Sequence, residues 1–97
     1  MVFGNDLTDD QWAVHWKGLV PESSTLWNAR LSGYPIGIPI TYVSMAEDMG
    51  VPPSLAEQMI ANLGADVEHR MLSAGHLVMV TKPQDLAAII DAAFRHV

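Results

Sequence analysis

Asp48 and His76 are the residues whose types and setting point most directly to chemistry. Each stands four positions beyond a segment that reads as a strand, Asp48 after Ser44 and His76 after Leu72. If those strands are parallel, both deliver their following loops to the carboxyl edge of the sheet, where α/β proteins place their sites. A carboxylate and an imidazole side by side there make an oriented base. The carboxylate accepts a proton bond from Nδ1–H, fixes the tautomer and stabilises the imidazolium. Glu47 reads as a solvated neighbour of Asp48. Ser73 is close to His76 in sequence, but nothing places its hydroxyl on Nε2 or supplies donors for an oxyanion. His15, His69 and His96 fall on a helix, a strand and a terminus, without i, i+4 partners or convergent carboxylates, so no metal site is expected. No cofactor is implied.

The elements that must position this pair divide at about residue 37. Thr8 reads as an N-cap, with Gln11 completing a capping box and Asp9 and Asp10 in the first turn. Trp12, Trp16 and Leu19 follow on one stripe, and Pro21 ends the helix. Residues 22–37 are irregular, punctuated by Ser, Gly and Pro. Residues 38–44 form an apolar, β-branched strand with Pro39 near its start. A loop to Pro53 holds two acids and two prolines. A helix starts at Ser54, with Glu57 completing a second capping box, and closes at Gly64. Residues 66–72 alternate, with Val67, His69 and Met71 on one face and Glu68 and Arg70 on the other, as at a sheet edge. The last helix starts with Thr81 as N-cap, Pro83 in the first turn and Gln84 completing a third box. Strand, helix, strand, helix means two parallel neighbours joined by a right-handed crossover. Two strands are too few for such a sheet, and the first reads as an interior strand. The pattern is the end of a doubly wound α/β sheet whose other strands are not among these residues, so the domain is incomplete.

Composition bounds the partners. The 97 residues carry 5 Lys plus Arg against 11 Asp plus Glu, a net charge of −6. The scattered basic residues argue against nucleic acid and against anionic membrane surfaces. With 49% apolar and 16% charged residues the chain is not a disordered tail. The absence of cysteine excludes a disulfide framework and a thiolate zinc site. Residues 1–6 lack a basic and apolar leader pattern, and every long apolar stretch is broken, so neither a signal peptide nor a transmembrane helix is expected and a cytoplasmic setting is the simpler expectation.

The ordered set of residues 38–43, Glu47-Asp48, Val51-Pro52, Ser73-Ala74-Gly75-His76 and Thr81-Lys82-Pro83 resembles the C-terminal portion of the α/β-hydrolase fold. It is most similar to the small esterases related to plant methylesterases and hydroxynitrile lyases. Residues 38–96 carry most of the likeness. Residues 1–37, with Phe3-Gly4-Asn5-Asp6 and Leu19-Val20-Pro21-Glu22, resemble the end of that family's helical cap. The resemblance implies that Asp48 and His76 are the acid and base of a Ser-Asp-His triad, acting on a small-molecule ester. In a cap, Trp12, Trp16 and Trp27 would either pack or line an acyl pocket, and Leu77 would adjoin that pocket. The family's lyases carry Lys directly after the histidine, where Leu77 stands, so hydrolysis is implied in place of cyanohydrin cleavage. The family order is Ser, acid, His, yet no Gly-x-Ser-x-Gly occurs in the 97 residues; the nearest pattern, Gly33-Tyr34-Pro35-Ile36-Gly37, has Pro at the serine position. The glycine-rich oxyanion loop is also absent. The chain alone is therefore expected to be inactive. As the alternative, it is a non-catalytic module that self-associates through its exposed strand edge or pairs with a complementary half.

Overall fold

Thr8 starts the first helix as its side chain demands. In the computed structural model, which describes residues 3–33, 37–64 and 66–95, the Thr8 hydroxyl accepts from the Gln11 amide at 3.2 Å and the Gln11 side chain accepts from the Thr8 amide at 3.0 Å. Helix α1 spans Asp9–Lys17 and ends on Gly18, ahead of the predicted stop at Pro21. A single turn, α2 (Ser24–Trp27), interrupts the stretch expected to be irregular. The Gly33–Gly37 pattern falls in part on residues 34–36, outside the described residues.

Strand β1 (Ile40–Met45) and strand β2 (Val67–Leu72) are joined through helix α3 (Pro53–Leu63). They pair in parallel, with Ile40 opposite Val67 and Met45 opposite Leu72. The register fixes the faces: Tyr42, Ser44 and His69 share one, while Thr41, Glu68 and Arg70 share the other. Tyr42 reaches the Met59 sulfur of α3 at 3.8 Å, which places α3 over the first face. An open cleft of about 320 Å³ separates the second face from the last helix, between Thr41, Glu68 and Arg70 and the side chains of Ile89, Ala92 and Phe94.

Two helix starts differ from expectation. Pro53 takes the first position of α3 and Pro52 is its N-cap, so Ser54 lies inside the helix and makes no cap bond. Proline's fixed φ and missing N–H suit that first position, and it displaces the serine. A short helix α4 (Val78–Thr81) precedes α5 (Pro83–Arg95). Thr81 closes α4 instead of capping α5, and its hydroxyl is buried without a hydrogen-bond partner. The chain turns into α4 immediately after His76, so the cap position falls to Lys82, whose carbonyl takes the Leu86 amide at 3.1 Å.

The described residues thus form a mixed α/β unit with a two-stranded parallel sheet and five helices. Its interior is small. Among the described residues Ala56, Ala74 and Val78 are the buried apolar side chains, and no large side chain is fully buried. The accessible surface is 7633 Å², where a compact chain of this mass shows about 5500 Å². The radius of gyration is 15.3 Å, against about 13 Å for a globular domain of this length. No described helix is long and apolar enough to cross a membrane.

Candidate functional site

The site grows out of the parallel ladder. Beyond the strands, the Ala46 amide donates to the Leu72 carbonyl at 2.8 Å and the Glu47 amide to the Ala74 carbonyl at 3.0 Å. The two loops therefore leave the sheet edge zipped together, and the next residue on one of them is Asp48. The buried Ala74 and Val78 side chains anchor the other loop on either side of His76.

Asp48 is buried, with its side chain 1% exposed. Its Oδ1 accepts from the Gly50 amide at 2.8 Å and the Val51 amide at 2.9 Å, a local turn that fixes the carboxylate. His76 Nδ1 lies 3.0 Å from Oδ2 and 3.2 Å from Oδ1. A carboxylate only accepts, so the hydrogen of that bond sits on Nδ1 and the neutral ring keeps a lone pair on Nε2. The His76 side chain is 34% exposed. A cavity of about 180 Å³ beside the pair is lined by Tyr42, Ser44, Val51, Ala56, Asp48 and His76.

The sequence places the N-terminal segment in a cap-like part and does not announce that it completes this arrangement. The Phe3 ring lies on His76, with centroids 4.7 Å apart and planes tilted by 55°. Asn5 Nδ2 donates to the Glu47 carbonyl at 3.0 Å, and Asp6 Oδ2 accepts from the Gly75 amide at 2.6 Å. Two glycines allow this close approach. A Cβ at Gly50 would run into the Phe3 ring, and one at Gly75 into the Asp6 carboxylate. The signal was present only as the run Phe3-Gly4-Asn5-Asp6, given to the cap-like segment.

The other expected residues separate from the pair. Trp12 is half-buried over Gly4, and Trp16 is exposed. Neither lines the cavity at His76, and nor does Leu77, which is half-buried as the residue before α4. Trp27 is 78% exposed. Glu47 and Ser73 are exposed. His15 stacks near Trp12. His69 Nε2 is 2.7 Å from the buried Ser44 hydroxyl, a pairing across the sheet that alternation alone did not announce. His96 lies outside the described residues. Among the described residues no three His, Cys, Asp or Glu side chains converge on a metal position. Compared with protein-family models, curated proteins and solved structures, the chain matches none.

Proposed function

We propose that Asp48 and His76 are the acid and general base of a Ser-Asp-His site for carboxylic-ester hydrolysis, carried on the C-terminal part of an α/β-hydrolase-like sheet. The observation that carries this reading is the buried Asp48 carboxylate, fixed by two backbone amides and held on His76 Nδ1 at 3.0 Å. In such a site, His76 Nε2 takes the proton of a serine hydroxyl as it attacks the ester carbonyl. It then returns that proton to the leaving alcohol, while Asp48 stabilises the imidazolium in between. The serine and the oxyanion donors come from residues outside these 97, because the chain has no Gly-x-Ser-x-Gly and no glycine-rich oxyanion loop.

A second reading is favoured by the open surface. The chain is a module that covers its exposed apolar residues by pairing with a second copy or with a complementary half. The two readings are compatible, since a complementary half is also the natural carrier of the nucleophile.

The test of the first reading is hydrolysis of p-nitrophenyl butyrate by the intact chain, with a fluorophosphonate probe and intact-mass detection alongside. We expect no saturable turnover and no phosphonylated serine. Saturable hydrolysis lost in both His76→Ala and Asp48→Ala would overturn the assignment of the nucleophile to another segment. A completing polypeptide that lacks Gly-x-Ser-x-Gly would overturn the esterase reading itself.

A further inference from the structure

We infer that Asp6 is a positioning residue for His76, and that residues 3–6 act as a strap across the two site loops. The inference rests on the Asp48–His76 reading for its purpose, but the geometry it concerns can be measured without catalysis. Three bonds or contacts from four consecutive residues converge on one place. Phe3 covers the His76 ring at 4.7 Å. Asn5 holds the loop of the acid through the Glu47 carbonyl, immediately before Asp48. Asp6 holds the loop of the base through the Gly75 amide, immediately before His76.

The Asp6 bond is the strongest of the three. A carboxylate accepting an amide at 2.6 Å is a short, charge-assisted bond. It spans 69 positions of sequence, so it is a tertiary tie and not a local turn. Its other oxygen, Oδ1, is buried without a partner and packs against the Gly75 backbone where a side chain would stand. Leaving a buried carboxylate oxygen unpaired is costly. The strap accepts that cost to clamp the Ala74–Gly75 peptide, one residue before the imidazole. Gly4 fits the strap into place, since a Cβ there would run into the Trp12 ring and the Leu7 side chain. Without the Asp6 bond the Ala74–Gly75 peptide loses that tie, and the Phe3 contact and the Nδ1–Asp48 bond are left to hold the ring.

The test uses the full chain with 15N-labelled histidine and reads the ring nitrogens of His76 and its Nδ1–H signal, with the other histidines as internal controls. We expect Asp6→Ala to speed Nδ1–H exchange at His76 by about tenfold, the factor that loss of one charge-assisted hydrogen bond gives. Asp6→Asn should restore the wild-type spectrum, because its amide oxygen can still accept from Gly75. Gly75→Ala, which displaces the carboxylate from the other side, should act like Asp6→Ala. If Asp6→Ala fails to unfold cooperatively, Gly75→Ala and Asp6→Asn decide the matter. Wild-type His76 signals in Gly75→Ala or in a folded Asp6→Ala would overturn the strap, as would an Asp6→Asn spectrum with the fast exchange expected of Asp6→Ala. A His76 signal indifferent to Asp48→Ala would instead overturn the acid–base reading, so the two failures are distinct.

Discussion

Asp48→Ala is expected to lower the thermal midpoint by about 10–25 °C and to release His76 from its single tautomer. The Asp48 carboxylate takes the Gly50 amide, the Val51 amide and His76 Nδ1–H, and its side chain is almost fully buried. Alanine leaves all three donors facing a small apolar gap. Each unsatisfied buried donor costs about 1–3 kcal/mol, with partial relief where water reaches it. Gly50 and Val51 are half-buried, so some water does reach them. A net loss of about 2–4 kcal/mol follows, and in a domain of this size each kcal/mol moves the midpoint by about 4–8 °C. In a completed ester-hydrolysing site the same substitution should cost about 10⁴-fold in kcat, because the base loses its tautomer and its counter-charge. Circular dichroism melting and histidine-ring spectra check the first part. A midpoint within a few degrees of wild type would mean that the carboxylate is not the organising acceptor of the loop.

The second large effect concerns association. The chain exposes about 2000 Å² more surface than a compact chain of its mass, well above the roughly 800 Å² that each partner contributes to a standard interface. Much of that surface is apolar. Trp16, Trp27 and Leu31 around the first two helices are exposed, as are Met59 on α3, Met71 on β2 and Phe94 on α5. Among the described residues each strand has a neighbour on one side only. The free edge of β1 carries neither a charge nor a proline within Ile40–Met45 to block pairing. We expect size-exclusion chromatography with light scattering to give a dimer or a larger species at micromolar concentration, with a midpoint that rises with protein concentration. A monodisperse monomer with cooperative unfolding would show that the small core of Ala56, Ala74 and Val78 suffices. It would also remove the argument for a complementary half.

Sequence pattern made the carboxyl-edge pairing legible because its cause is local and periodic. Apolar β-branched residues announced β1, the alternation of residues 66–72 announced β2, and a helix between them forced the parallel order. That order alone brings the loops of Asp48 and His76 together. The Thr8–Gln11 box was readable for the same reason: it is a side-chain bond over three residues. Capping signals failed where a stronger neighbour intervened, Pro53 at the start of α3 and the unannounced α4 that takes in Thr81. The Asp6–Gly75 and Asn5–Glu47 ties and the Ser44–His69 bond left no trace in the pattern. Contacts between residues so far apart in sequence are set by how elements pack, and a small Gly-Asn-Asp run is equally at home in any turn. The proposed α/β-hydrolase reading rests on ordered sequence motifs, and the nucleophile it needs is not among these residues.

The most direct check on the proposed base is the state of the His76 ring in the intact, 15N-histidine-labelled chain. Proton coupling should place the hydrogen on Nδ1 and the lone pair on Nε2 in the neutral ring, and Asp48→Ala should abolish that preference while the His15 and His69 signals stay in place. A His76 ring that carries its hydrogen on Nε2, or one that Asp48→Ala leaves unchanged, would contradict the reading of these two residues as an acid and the base it orients.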